Sequence, residues 1–519
     1  MDKMQHGGEA LARAVEAAYA QGQTDYYLEP MVRMDGGQPV GKIQNGDHVI
    51  FCCRRGEREI ELTEAFTQPD FDKFSRTYLD RLEFVIMTMY HEKFKDLPIA
   101  FAPERVKRPL AQVLSEAGLR QFHCAESEKF AHVTFFFNGG FNQSFPGETD
   151  VCVPSPKGIP FDQKPELSLP EVARRVMEAT DEGYPFILTN FANGDVIGHT
   201  ANTQAKLAAA ETVSRYVSQV AAYAVEHDYV VAVTADHGNI EALYTKDGKP
   251  HGAHTTNLVP FILLDPRKRA VQLHDGCLGD VAPTVLSVLG VEQPAEMTGR
   301  SLLDEQCITS RKMMLVILDG WGFGTGDQGD AIYMASTPGW DALLAQNPSC
   351  KLRASGSNVG LQAGKAGNSE AGHSNLGAGR VVAQDDVRMD SAIQDGSFKQ
   401  NPVFCRAIEN AKKEGALHLI AYLTEKSSHG CIEYPLMLAE MAEGVPEVYF
   451  HIIFDGRSTE PGSAPAMLRQ LEQRLQTLGR GQIADGMGRG IALDRDGNYG
   501  KIQKAYEAMV LGRGTEYPG

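Results

Sequence analysis

The chain has 519 residues, of which 42% are hydrophobic and 23% charged, an ordinary globular composition that excludes long disorder. Its 67 acidic and 50 basic residues leave a formal charge of −17, which excludes coating a nucleic-acid backbone and obliges any anionic substrate to be met by a local positive pocket. Nine cysteines, an odd number scattered along the chain, exclude a secreted disulfide framework and favour a reducing cytosol.

In chain order, the opening MDKMQHGGEALARAVEAAYAQG lacks the basic and apolar regions of a signal peptide and predicts an amphipathic helix with Leu11, Val15 and Ala18 on one side. His48–Cys52 predicts a strand and Phe71–Met89 a helix. From about Pro103 to Gln384 short apolar runs alternate with helical stretches, the pattern of an α/β domain with a largely parallel sheet. The runs are His132–Phe137, Phe186–Leu188, Tyr229–Thr234, Val259–Leu264 and Met313–Leu318, with helices over Leu169–Ala179 and Thr203–Val225. Between them Val153–Pro170 holds five prolines and predicts an extended crossing. Beyond Asp385 come strand-like His418–Tyr422 and Val448–Phe454 and a helix near Ala466–Leu478. No apolar run approaches the roughly 20 residues that span a bilayer.

Four apolar runs end in residues suited to metal or phosphate. MLVILD ends in Asp319, FILTNFANGD leads to Asp195 and then His199, VVAVTADH ends in Asp236 and His237, and HVTFFFNGG ends in Asn138, Gly139 and Gly140. Ligands of open α/β sheets bind beyond the carboxyl ends of the strands, so these residues converge on one edge. HGAHTTN adds His251 and His254. Alone, Asp319 before Gly320 reads equally as a turn residue; together the set makes a mixed N/O site suited to Mn²⁺ or Zn²⁺.

In AGKAGNSEAGHSNLGAGRVV, Ser369 stands between Asn368 and Glu370 where a helix begins. Free N–H groups at a helix start favour a phosphate, and a serine there is either a helix cap or an activated nucleophile. A third, basic set comprises Arg54, Arg55, Arg58, Arg457, Arg489 and Arg495, with His429 in SSHGC and Lys129 in SEKF. Arginine forks suit a small anionic substrate, against the ordinary reading of solvated surface charge.

LDGWG (318–322), GNSEAGHSNLGAGRVV (367–382), DVIGHT (195–200), TADHGN (234–239), AHTTN (253–257) and SEKFAHVTFFFNGG (127–140) closely resemble cofactor-independent phosphoglycerate mutase, of the alkaline-phosphatase superfamily. In that family LDGWG lies near the N-terminus and TADHG near the C-terminus. Here LDGWG follows TGRSLL (298–303), which resembles the family's C-terminal end. The resemblance therefore implies a circular permutation, with the old ends joined through Asp304–Lys312. It implies two α/β domains: a phosphatase-like, mostly parallel sheet flanked by helices over 103–384, and a smaller transferase domain from 385–519 together with 1–102.

The resemblance further implies that Ser369 takes the phosphoryl group as phosphoserine. Asp319, Asp236 and His237 would hold one metal with it, Asp195, His199 and His254 the second, and Lys129 would contact the phosphoryl group. His429, Arg457, Arg489, Arg495, Arg55 and Arg58 would hold the substrate. It implies interconversion of 3- and 2-phosphoglycerate with two Mn²⁺ (or Mg²⁺, Co²⁺ or Zn²⁺), no 2,3-bisphosphoglycerate, no nucleic-acid or membrane partner, and a cytoplasmic monomer. The departures lie in the transferase half. The family's GRDT is Arg457-Ser458 with Thr459 here, SDGGVHSH is TEKSSHGC, GRYYAMDRD is GRGIALDRD and FNFRPDR is CCRRGER. A metal-dependent phosphatase, or a mutase acting on another phosphate ester, is the alternative those changes raise.

Overall fold

Met313–Leu318 and Phe186–Phe191 are buried at every position, and so is Val230–Thr234. Such fully buried, largely apolar runs make central strands of a parallel sheet, which is covered on both faces and has no solvent side to favour alternation. The computed structural model describes residues 6–54, 58–304, 308–425, 427 and 429–518. It divides into two compact units, one of Glu104–Val387 and one in which the segment ending at Pro103 joins the segment beginning at Arg388. Arg55, and part of the junction Asp304–Lys312, fall outside the described residues.

The Glu104–Val387 unit holds an eight-stranded sheet. Its order is Gly276–Cys277, Ser349–Arg353, Val259–Leu264, Val230–Thr234, Met313–Leu318, Phe186–Phe191, Gln121–Glu126, Glu148–Val153. The last five run parallel, with Leu318 paired to Phe191 and Ile317 to Thr234, so their carboxyl ends share one edge. The long helix Thr203–Glu226 buries Ala205, Ala209, Val213, Val217 and Ala221, a four-residue spacing that keeps one stripe on the sheet. Asn202 starts it by accepting a bond from Ala205 N at 3.1 Å.

The other unit holds a nine-stranded sheet. Strands Glu83–Thr88, His48–Phe51, Leu417–Leu423, Val448–Phe454 and Gln482–Gly488 lie parallel in that order. His48–Phe51 pairs with Leu417–Leu423, so the two distant stretches of chain share one set of backbone bonds. The first helix is Gly8–Ala20 and buries Leu11, Val15 and Ala18.

Two elements differ from expectation. His132–Phe137 is not a strand: Phe137 N bonds His132 O, and Gly140 N bonds Phe135 O, in a helical turn of i→i+5 type. Val133 and Phe137, four apart, face the core, so packing of one helical stripe overrides the β preference of an aromatic run. The strand preceding it, Gln121–Glu126, is the one that joins the sheet. Phe71–Met89 is not a helix either. Its second half is the strand Glu83–Thr88, whose Phe84–Thr88 core is buried against His48–Phe51. Among the described residues no helix is long and apolar enough to cross a membrane.

Candidate active site

Four of the five parallel strands of the Glu104–Val387 unit deliver polar side chains past their carboxyl ends: Asp319 directly after Leu318, Asp236 and His237 two and three residues past Thr234, Asp195 four past Phe191, and Lys129 three past Glu126. All five are buried. Gly320, with φ of 71°, turns the chain directly after Asp319, and a Cβ there would stand 2.6 Å from Asp195 N. That close approach is what brings the two aspartates together.

Ser369 opens the helix Ser369–Ala378, but the cap is Asn368, whose side chain accepts from Ala371 N at 2.8 Å. With the capping duty taken by its neighbour, the Ser369 hydroxyl turns inward. Its Oγ accepts from Lys129 Nζ at 2.7 Å and lies 3.0 Å from both Asp319 Oδ1 and His237 Nε2. Gly372 lets this helix settle on the strand end, since a Cβ would stand 2.6 Å from Asp236 O. Lys129 Nζ also donates to Asp195 Oδ2 at 2.6 Å and Asp319 Oδ1 at 2.9 Å.

The histidines present one nitrogen each. His199 Nδ1 faces Gly252 O and His254 Nδ1 faces Gly367 O, both at 2.8 Å, while His237 Nδ1 faces Gly238 O at 3.2 Å. Spending Nδ1–H on a carbonyl leaves each Nε2 lone pair for another partner, the usual arrangement of metal-binding imidazoles. Those Nε2 atoms gather on Asp195 Oδ1, at 3.3 Å for His199, 3.0 Å for His254 and 3.8 Å for His237. His237 Nε2 is also 3.5 Å from oxygens of Asp236 and Asp319, and so stands between two ligand groups.

Three buried aspartates face a single lysine, so the site carries excess negative charge. Burial opposes a charge on Lys129, yet Asp319, Asp195 and Asp236 outweigh it and hold the ammonium firmly protonated. Burial likewise raises Asp195 and Asp319, but His199, His254 and Lys129 pull the first, and Lys129 and His237 the second, well below the usual carboxylate range. His237, against its burial, is drawn up to about 9 by Asp236, Asp319 and Asp195. Asp236 Oδ2 is buried without a hydrogen-bond partner among the described residues. Carboxylate excess, imidazole Nε2 atoms turned inward and an orphaned carboxylate oxygen together suit divalent cations.

By distance the ligand atoms fall into two triads, Asp195–His237–His254 and Asp236–Asp319–His373. His373 was not singled out in the sequence. It lies four residues after Ser369, one turn along the same helix, with Nδ1 2.9 Å from Ser369 O and Nε2 meeting Asn190 Nδ2 at 3.0 Å. Asn190 also donates to Asp319 Oδ2 at 2.7 Å, and Asn239 to Asp195 Oδ1 at 3.0 Å. The i, i+4 step is the only signal His373 offers in the sequence. A third group, His123, Glu148 and Asp150, is different: both ring nitrogens of His123 face protein acceptors, Val133 O at 2.8 Å and Gln121 Oε1 at 3.2 Å. A hollow of about 490 Å³ opens beside the site, lined by His199, His254, Lys365 and Asn368 among others.

Of the basic set, Arg54, Arg58, His429, Arg457, Arg489 and Arg495 lie in the other unit, past the carboxyl ends of its parallel strands. Arg489 is buried, with Nη1 donating to Asp455 Oδ1 at 2.6 Å and its Nε and Nη2 unpartnered among the described residues. Tyr422 Oη donates to the same Asp455 oxygen at 2.5 Å. His429 Nδ1 lies 3.4 Å from Glu59 Oε1. Arg58 is buried and donates to Leu493 O at 2.9 Å, whereas Arg457 and Arg495 are exposed. Arg54 is consumed internally by Ser427 O, at 2.8 Å, and by Tyr434 Oη.

Comparison with known proteins gives two profile matches. The one described as metalloenzyme superfamily covers residues 30–293, just over half of the chain, and the one described as BPG-independent PGAM N-terminus covers 389–518. Among curated relatives, 2,3-bisphosphoglycerate-independent phosphoglycerate mutase of Moorella thermoacetica is 45% identical over 57% of this chain and 58% of its own. The protein of the same name from Syntrophotalea carbinolica is 46% identical over the same shares. The chain thus spans under two thirds of the length of these relatives. A crystal structure of Leishmania mexicana phosphoglycerate mutase at low cobalt concentration aligns with TM-score 0.40 and 30% identity over 52% of this chain and 53% of that one.

Proposed function

The chain belongs to the metalloenzyme superfamily, and we propose that it interconverts 3-phosphoglycerate and 2-phosphoglycerate through a phosphoserine at Ser369. The observation that carries this reading is the Ser369 hydroxyl held among Lys129, Asp319 and His237 at 2.7–3.0 Å in a buried, anionic cluster. The names of the relatives and the match over 389–518 support the choice of substrate.

Asp319, Asp236 and His237 hold one divalent cation with Ser369, and Asp195, His199 and His254 hold the second, Mn²⁺ being the ion proposed. Bound there, such ions supply charge for the phosphoryl oxygens and lower the pKa of the serine hydroxyl. Lys129 holds the serine oxygen and balances charge as the phosphoryl group arrives and leaves. His373 and Asn190 fix the start of the Ser369 helix against Asp319. The phosphoryl group passes to Ser369 Oγ, breaking its ester bond to the glycerate. It returns to the other hydroxyl of the retained glycerate, which makes bisphosphoglycerate unnecessary. His429, Arg457, Arg489, Arg495, Arg55 and Arg58 hold the substrate's glycerate portion, and the protein works as a cytoplasmic monomer.

A circular permutation is part of the proposal. It is supported by order: a profile described as an N-terminus matches after the metalloenzyme match rather than before it. One alternative keeps an observation of its own. Ser458 offers only a hydroxyl, 3.4 Å from Ser427 Oγ, where the resembling family carries a carboxylate, which favours a phosphatase or a mutase of another phosphate ester. Acid quenching with 3-phosphoglycerate and mass spectrometry of the Ser369 peptide tests the nucleophile. A phosphorylated Ser369 is expected, and label on any other residue contradicts the assignment. Inorganic phosphate released without isomerisation selects the alternative.

A further inference from the structure

Glu59 immediately precedes the helix Ile60–Thr67, a place from which an acidic side chain commonly turns back to cap free N–H groups. It makes no such bond. Its backbone carbonyl accepts from Thr63 N at 3.1 Å and Thr63 Oγ1 at 2.7 Å, while the side chain is fully buried. Oε1 lies 3.4 Å from His429 Nδ1, and Oε2 has no hydrogen-bond partner among the described residues. The groups around this carboxylate are His429 beyond Leu417–Leu423, Arg489 beyond Gln482–Gly488, Cys53 beyond His48–Phe51 and Tyr90 beyond Glu83–Thr88. Burial pushes Glu59 above the ordinary glutamate range, against the pull of His429 and Arg489.

Burying a carboxylate is costly unless hydrogen bonds and opposite charge repay it. One 3.4 Å contact and an orphaned oxygen do not. A glutamine or leucine would serve packing alone as well, so the placement is explained by what the carboxylate does to His429. An acceptor fixed on Nδ1 sets the ring's orientation and places its proton there, which leaves the Nε2 lone pair on the other side of the ring. His429 is itself only partly buried, with 17% of its side chain exposed, whereas the Glu59 side chain is fully buried.

We propose that Glu59 is a positioning residue for His429, fixing its Nδ1 tautomer so that Nε2 accepts a hydrogen bond from a hydroxyl of the substrate. This rests on the mutase reading, in which His429 holds phosphoglycerate.

The test compares Glu59→Gln, Glu59→Leu, His429→Asn and the Glu59→Leu/His429→Asn pair in a phosphoglycerate isomerisation assay. Glu59→Gln, which keeps an acceptor of the same reach, lowers kcat about tenfold with KM within about twofold, and Glu59→Leu lowers it about 100-fold. The pair falls no further than His429→Asn, because a residue that acts through another adds nothing once that other is gone. An unchanged kcat in both single variants, or effects that add in full, overturns the proposal. An inactive wild type instead removes the mutase reading. Histidine-selective ¹⁵N NMR then decides Glu59 without activity. Wild-type His429, assigned through His429→Asn, carries its proton on Nδ1 and loses that preference in Glu59→Leu, and a wild-type proton on Nε2 overturns the proposal.

Discussion

The two units arrange their charged groups in opposite ways. In Glu104–Val387 the charged groups come from separate strand ends yet share partners: Lys129 touches Asp195, Asp319 and Ser369 at once, and three imidazoles converge on Asp195. In the other unit the cations are divided. Arg489 and Arg58 are buried, Arg457 and Arg495 are exposed, and Arg54 is taken by Ser427 and Tyr434. A cluster of mutually compensating buried charges is intolerant of any single loss, whereas separate donors fail one at a time. That difference sets the size of each expected effect.

The largest belongs to Ser369. Ser369→Ala removes the hydroxyl held among Lys129, Asp319 and His237, and turnover falls by at least about 10³-fold in steady-state assays. A variant retaining a tenth of wild-type rate would end the nucleophile assignment. Next comes Lys129→Met, which deprives Ser369, Asp195 and Asp319 of their shared cation and lowers kcat by about 10²- to 10³-fold. Its melting temperature with and without Mn²⁺ separates lost chemistry from lost fold.

The other unit also holds one linked buried chain, which sharpens the contrast from within. His418 meets Asp47 at 3.1 Å and His451 at 2.9 Å, and His451 meets Asp485 at 2.6 Å. Burial drives His418 down from 6.5 to about 4, more than the Asp47 hydrogen bond can offset. With the folded pKa below the unfolded one, the unfolded chain binds the extra proton. The stabilisation is therefore full above pH 6.5 and lost as pH falls towards 4. Relative to His418→Asn, wild type should lose roughly 3 kcal/mol of unfolding free energy across that interval in urea titrations. Parallel pH curves for the two proteins would show that His418 is not held neutral. The smallest effect is Arg457→Ala. This exposed donor should raise KM about tenfold, worth about 1.4 kcal/mol, with kcat within about twofold. A fall in kcat with unchanged KM would give Arg457 a different part.

The same contrast governs what could be read before the fold. Asp319, Asp195 and the Asp236–His237 pair are legible because each follows a largely apolar run, and parallel strands necessarily end at one edge. Ser369 is ambiguous between cap and nucleophile until Asn368 is seen to take the cap. His373, Asn190 and Glu59 are hidden, since what each does depends on an atom supplied by another segment. The aromatic run His132–Phe137 misleads for the same reason. Its local preference is β, and the core contacts of Val133 and Phe137 decide for a helical turn. Among the arginines the sequence has no means of separating Arg54, engaged internally, from Arg489, whose Nε and Nη2 have no partner among the described residues.

The central claim is phosphoryl movement within phosphoglycerate at a metal-dependent serine. Its most direct measurement couples the protein to enolase, with 3-phosphoglycerate as sole substrate, and follows phosphoenolpyruvate. Activity should be present with Mn²⁺, vanish in chelator, return when Mn²⁺ is restored, and need no added 2,3-bisphosphoglycerate. A folded, Mn²⁺-loaded protein that forms no phosphoenolpyruvate, or forms it equally well in chelator, would contradict the account.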